Sequence, residues 1–308
     1  MIFKIGTRGS KLALVQSQWV KEKVEAEHPD VKVELVTIKT TGDKMLDTPL
    51  SLIGGKGLFV KEIEEALLKK QVDVAVHSIK DVPAELPEGL IISTFPERED
   101  PHDALISTGN QTLEQLPKGA RVGTSSLRRS AQLLCMRPDL DLVPLRGNVD
   151  TRLKKLEAGE FQAIILAAAG LRRLGLAKRI SQIIPGNQIL PAIGQGALGL
   201  EVRRDNEQII KLLAFLNNEQ TEVTVKAERA FLKRLEGGCQ VPIAAYAGLN
   251  GEELHLEGLV AELDGTRFIR DEISGKKSRA TEIGDSLARR LLDSGADKIL
   301  ARIYGKQS

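Results

Sequence analysis

One cysteine of this chain stands where chemistry is possible. Cys239 lies in Leu235-Glu236-Gly237-Gly238-Cys239-Gln240-Val241-Pro242, directly after a helical stretch from Val223 to Leu235. Two glycines end such a helix and Pro242 stiffens the exit, so the spacing puts the thiol on a tight turn. Structural cysteines usually sit inside apolar runs. A thiol presented on a turn is an anchor or a nucleophile, or a plain surface cysteine. Lys80 and Asp81 form a second candidate in His77-Ser78-Ile79-Lys80-Asp81-Val82-Pro83. A cation beside an anion after an apolar strand can do acid–base or charge-stabilising work, or can be a solvated pair on a turn. Arginine gives the broadest signal. In Gly123-Thr124-Ser125-Ser126-Leu127-Arg128-Arg129, Ser125 or Ser126 caps a helix whose first turn then holds two guanidiniums. That is the positive end of the helix dipole, so two cations there suit a bound anion better than they suit a bare helix.

The pattern recurs. Leu145-Arg146-Gly147-Asn148-Val149-Asp150-Thr151-Arg152, Leu166-Ala167-Ala168-Ala169-Gly170-Leu171-Arg172-Arg173 and Gly6-Thr7-Arg8-Gly9-Ser10 each follow an apolar run. Ligands of open α/β sheets bind at the carboxyl ends of strands. Four such ends carrying arginine imply a cleft for an extended polyanion, made of carboxylates or phosphates. Gly54-Gly55-Lys56-Gly57 can add a mobile cation, or can be loop flexibility alone. It lacks the spacing and the Ser/Thr of a phosphate-binding P-loop.

The elements that must position these residues alternate. Ile2–Ile5 reads as a strand, and Ser10 caps a helix with an apolar face of Leu12, Val15, Trp19, Val20 and Val24. Val31–Ile38 is a strand. Residues 39–57 form a long, glycine-bearing stretch of the kind used as a lid or binding loop. A helix over 58–70 and the strand Val72–Val76 complete a βαβ rhythm, which predicts a parallel sheet with helices on both faces. A second cycle starts near Pro101, with strands at 104–106, 121–123, 142–145 and 163–167 and helices at 126–136 and 150–158. From about Asn217 the pattern changes to α+β: a helix, the Cys239 turn, strands near 244–249, 254–262 and 268–273, and a helix over 281–292. Cys135, inside Leu133-Leu134-Cys135-Met136, reads as core.

Composition excludes several classes. A net charge of +2 gives no field for nucleic acid or a membrane surface, and 3% aromatic residues leave no stacking platform for single strands. Two cysteines argue against a disulfide framework and for a reducing, cytoplasmic setting. The first residues read as a strand and not as a signal peptide, and no apolar run reaches membrane-spanning length. His28, His77, His102 and His255 lack ligand spacing, so no metal site is expected.

The strings around His77–Pro83, Gly123–Arg129, Leu145–Asn148, Gly194-Gln195-Gly196-Ala197 and Glu236–Pro242 closely resemble the porphobilinogen deaminase (hydroxymethylbilane synthase) family. The resemblance runs from Gly6 to about Ile303. Val15 stands where many members carry Trp. The resemblance implies an α/β fold of two doubly wound domains like type II periplasmic binding proteins, plus a smaller α+β C-terminal domain. Its domains would be 1–98 with 197–216, 99–196, and 217–308. It implies a transferase that joins four porphobilinogen molecules head to tail, with loss of ammonia, on a covalent dipyrromethane primer. Hydrolysis then frees the linear tetrapyrrole on the way to haem. Cys239 would hold the primer by a thioether. Asp81 would be the catalytic carboxylate. Arg8, Ser10, Lys80, Ser126, Arg128, Arg129, Arg146, Arg152, Arg173 and Gln195 would contact primer or substrate, with Lys56 and Phe59 bordering the site. Each pyrrole carries an acetate and a propionate, so the growing chain is itself the polyanion. A monomer with porphobilinogen as its partner is expected. A solute-binding protein without catalysis is the alternative; it would need an export signal and have no use for the Cys239 turn. A regulator built on the same ligand domain would need a helix-turn-helix segment.

Overall fold

The computed structural model describes residues 2–44, 57, 59–236 and 241–305. Cys239, Lys56 and most of the expected loop 39–57 lie outside the described residues. The strands are β1 Ile2–Thr7, β2 Lys32–Thr37, β3 Val74–Ser78, β4 Leu90–Thr94, β5 Asp103–Ser107, β6 Arg121–Gly123, β7 Asp141–Val143, β8 Ala163–Ala167, β9 Gln182–Ile184, β10 Leu198–Arg203, β11 Ile243–Asn250, β12 Glu253–Ala261 and β13 Phe268–Lys276. They form two five-stranded sheets, ordered β2-β1-β3-β10-β4 and β7-β6-β8-β5-β9, and a three-stranded sheet β11-β12-β13. Two compact units result. One takes the described residues of 1–46, 55–99 and 197–222, and the other those of 100–196 and 223–308.

The sheets are mixed, where the βαβ rhythm predicts purely parallel ones. β1, β2 and β3 are parallel, but β10 runs antiparallel between β3 and β4. The second sheet repeats this arrangement: β6, β7 and β8 are parallel, and β5 runs antiparallel between β8 and β9. The inserted strand is in each case the first one the chain makes on passing from one unit to the other. No helical crossover turns it round, and only such a crossover returns a strand parallel to its neighbour.

Helices cover both faces of each five-stranded sheet. Lys11–Glu27 buries Gln16, Ser17, Val20 and Val24. Val20 and Val24 pack with Phe3, Ile5 and Leu200. The expected face of Leu12, Val15, Trp19, Val20 and Val24 is therefore rotated: Trp19 is 37% exposed, beside Leu14, Val15 and Leu35. The deciding contact is polar, because Gln16 Nε2 donates to Ser78 Oγ at 3.2 Å and draws the 16-20-24 line inward. Lys61–Leu68 lies on the opposite face, with Ile63 and Leu67 against Ala75 and Leu90. In the second sheet Ile165 packs towards Leu133 of the helix Leu127–Met136, while its neighbour Ile164 packs towards Leu153 and Leu156 of Val149–Glu157. That alternation is the strand period at work. Cys135 is exposed, not core; the last turn of its helix sends Leu133 inward and Cys135 out.

The third sheet is an antiparallel meander. One face carries Leu254 and Leu256 against Phe231, Leu287, Leu291 and Ile299 of the helices Glu219–Arg234, Ala280–Leu291 and Asp297–Gly305. From the other face Ala244, Leu259 and Ala261 meet Ala131 and Leu190. Among the described residues no helix is long and apolar enough to cross a membrane.

Candidate active site

In the first unit the parallel strands β1 and β3 end side by side, so the segments that follow them share one edge of the sheet. After β1 come Arg8 and Ser10, and Ser10 Oγ accepts from Ala13 N at 3.3 Å to cap the helix Lys11–Glu27. After β3 the chain tightens into the 3₁₀ turn Ile79–Asp81. Ile79 N donates to Ala197 O at 3.0 Å, just ahead of β10. Glycine lets β10 pass beneath this turn without displacing its neighbours: a Cβ at Gly199 would lie 2.3 Å from Ile79 Cδ1 and 3.0 Å from Ile92 Cγ2. The result is a depression lined by Arg8, Ser10, Gln16, Phe59, His77, Ser78 and Asp81. The Arg8 guanidinium stacks 4.2 Å from the Phe59 ring centroid, a cation–π contact that fixes its plane. Lys80, partly exposed, follows Ile79 on the same turn.

In the second unit the parallel strands β6, β7 and β8 put their ends on one edge. Ser126, not Ser125, caps the helix Leu127–Met136, accepting from Arg129 N at 3.4 Å. Ser125 Oγ donates to Leu145 O instead. Arg128 and Arg129 are buried, and their partner is a carboxylate the sequence did not single out. Asp103, fully buried at the start of β5, accepts from Arg128 Nη1 at 2.8 Å, from Arg129 Nε at 3.0 Å and from Arg129 Nη2 at 2.7 Å. Gln195 Nε2 adds a fourth bond at 2.9 Å. Burial alone would raise the Asp103 carboxyl. The charges of Arg128 and Arg129 and their hydrogen bonds overcome that and hold it well below the usual carboxylate range. The two arginines differ in what remains. Arg129 Nη1 donates to Ile165 O at 3.0 Å, so all three of its nitrogens have acceptors within the protein. Arg128 Nη1 also reaches Leu190 O, but its buried Nε has no partner among the described residues.

The other arginines are half-buried at the same edge. Arg152 Nε donates to Gly147 O at 2.9 Å and Arg173 Nη2 to Gly196 O at 2.7 Å. Arg146 precedes Gly147, whose φ of +102° and tight approach to Thr151 require glycine. Asn148 then caps Val149–Glu157 through Thr151 N. Glu228, buried on the helix Glu219–Arg234, accepts from Gly194 N at 2.6 Å and Ala247 N at 2.9 Å. It thereby fixes the Gly194–Gly196 segment that carries Gln195.

The geometry thus brings Arg8, Ser10, Phe59 and Asp81 together in one unit. In the other it gathers Ser126, Arg128, Arg129, Gln195, Arg146, Arg152 and Arg173 along one sheet edge. Asp103 and Glu228 carry no signal in the sequence. Single carboxylates inside apolar runs give no signal beyond being out of place there. Among the described residues no group of three His, Cys, Asp or Glu is placed to hold a metal ion.

Two sheets of one topology, each parallel but for one inserted strand and each followed by arginines at its strand ends, define a two-sheet α/β protein. The chain belongs to the porphobilinogen deaminase family. Residues 3–211 match the family model "Porphobilinogen deaminase, dipyromethane cofactor binding domain", and residues 222–293 match "Porphobilinogen deaminase, C-terminal domain". The porphobilinogen deaminase of Geobacter metallireducens is 55% identical over 99% of this chain and 95% of its own. That of Syntrophotalea carbinolica is 55% identical over 97% and 95%. Among solved structures, the methionine-binding protein MetQ aligns with 70% of this chain and 89% of its own at 14% identity, with a TM-score of 0.46.

Proposed function

We propose that the chain condenses porphobilinogen through a division of labour between the depression around Asp81 and the arginine edge. The family reaction is a transfer in tetrapyrrole biosynthesis that uses a dipyrromethane cofactor. Loss of ammonia from the aminomethylpyrrole leaves a delocalised cation on the incoming substrate. Asp81 supplies the anion that stabilises it, in a depression that Arg8 also lines and where its guanidinium meets a substrate carboxylate. The sharing of that depression by Asp81 and Arg8 is the observation that carries the reading. Lys80 and Ser10 add donors at the same edge.

The donor set fits a dipyrromethane. Its pyrroles bear acetate and propionate groups, and Arg128 keeps a buried Nε with no acceptor among the described residues. When bound, the group supplies the electron-rich pyrrole carbon at which the chain grows. Cys239 is its attachment point. Ser126, Arg128, Arg146, Arg152 and Arg173 hold carboxylates, with Lys56 and Phe59 at the border, while Arg129 and Gln195 keep Asp103 and Arg128 in register. Division into 1–98 with 197–216, 99–196, and 217–308 belongs to this reading, as do a cytoplasmic monomer and no nucleic-acid partner.

The experiment is intact-mass analysis with Asp81→Asn. The wild-type mass should exceed the sequence mass by one dipyrromethane, mapped to Cys239. Asp81→Asn should keep fold and adduct but lose turnover. An unmodified Cys239 in active protein, or near-normal turnover of Asp81→Asn, refutes it.

A further inference from the structure

Behind the Asp81 depression lies a cluster of ionisable groups that the reaction so far leaves unused. On the sheet face covered by Lys61–Leu68, His77 of β3 and Glu201 of β10 are 5% and 0% exposed, and Glu64 of the helix is 7% exposed. His77 Nε2 and Glu201 Oε2 are 2.9 Å apart. Their surroundings, Ile63, Ala66, Leu67, Val72 and Ala75, are apolar. Glu64 Oε1 and Glu201 Oε1 have no partner among the described residues. Burial and the charge of Glu201 beside it disfavour the ionised form of Glu64. The neighbouring charges are turned elsewhere. Arg203, two residues along β10, donates to Leu67 O and Val72 O and lies 3.8 Å from Asp73. Glu62 is bound to Thr41. Arg8 and Asp81 face the depression, and His77 is the one member of the cluster that lines it with them.

We propose that His77 is the proton acceptor of the condensation, with Glu201 and Glu64 as its positioning and proton-storing partners. The inference rests on the reading given under Proposed function. In one addition the substrate's C–N bond breaks and ammonia leaves with the electron pair. The methylene carbon bonds to the α-carbon of the acceptor pyrrole. The α-C–H bond then breaks, its electron pair restoring the aromatic ring and its proton passing, directly or through one water, to the ring nitrogen of His77 that Glu201 does not engage. The proton later leaves with ammonia as ammonium, so atoms and charge balance. Burial first, and the charge of Glu201 second, push the Glu64 carboxyl up to about 7, with His77 pulling the other way. A Glu64 carboxyl raised into that range can hold or release a proton near neutrality, where a proton relay works best.

The test uses the holoenzyme. His77→Asn should retain the cofactor by mass yet lose about 10²–10⁴-fold in kcat, with KM changed little. Glu64→Gln should move the acid limb of the kcat–pH profile, and NMR should show the pH dependence of the His77 ring signals changed from wild type, because the neighbouring group can no longer exchange a proton. A structural role would lower kcat without moving either. Near-normal kcat in His77→Asn, or ring signals of His77 indifferent to Glu64→Gln, overturns the proposal. A wild type that fails to consume porphobilinogen refutes the underlying function, and the ring titration still judges the cluster.

Discussion

Asp103→Asn should be the most damaging single-atom change in the second unit. The carboxylate is fully buried and accepts four hydrogen bonds, at 2.8, 3.0 and 2.7 Å from the two guanidiniums and 2.9 Å from Gln195. The amide keeps the volume but removes the charge, and it turns an NH2 towards donors that need an acceptor. Two buried cations lose their compensation together. Breaking a buried pair from one side costs about 3–5 kcal/mol, whatever the intact pair is worth against an apolar replacement. For a cooperative unit of roughly 150–250 residues, that is a fall in Tm of about 6–20 °C. Calorimetry on wild type and Asp103→Asn measures it. The pH dependence gives an independent check. A folded-state carboxyl held below its usual range contributes stability that is present above its unfolded value of 3.8 and is lost as pH falls through the folded one. Wild type should lose this increment in strong acid, and the variant should have none to lose. A fall under about 1 kcal/mol at neutral pH would mean that the arginines find other acceptors, and the Asp103 argument would fail.

The remaining arginines should separate by role. Each lost charge-assisted contact is worth roughly 1.5–3 kcal/mol, about one to two decades in binding. Arg128→His should therefore hinder cofactor loading, while Arg8→His and Arg146→His should load and then stall at different chain lengths by mass spectrometry; identical patterns in all three would defeat the polyanion reading. Arg129→Gln should be seen mainly as lost stability, since each of its nitrogens already serves the protein. Glu64 has the opposite sign to Asp103. Its raised carboxyl gives stability that is complete below about 4.5 and lost as pH rises through about 7. Glu64→Gln should match wild type near pH 4.5 and exceed it above about pH 8 in thermal melts; parallel curves would show that Glu64 is not raised. Cys135→Ser should stay active, since that thiol is exposed and away from the sheet edges where the site residues lie; loss of activity would assign Cys135 a role it lacks here.

Much of this protein is legible in one dimension. Strand runs such as Ala163–Ala167, the helix cap at Ser10 and a cap at Ser125 or Ser126 are local, because apolar periodicity and a side-chain acceptor for free N–H groups act within a few residues. The arginines after strand ends were visible for the same reason: strand, turn and helix start are contiguous in sequence. Tertiary structure decided whatever joins distant segments. The direction of β5 and β10 depends on how the chain passes between units. The burial of Gln16 in place of Trp19 depends on Ser78, 62 residues away. Asp103 meets Arg128 and Arg129 across 25 and 26 residues, and His77 meets Glu201 across 124. A buried charge is tolerable only beside its partner, and no spacing rule names a partner that the fold brings in from another strand.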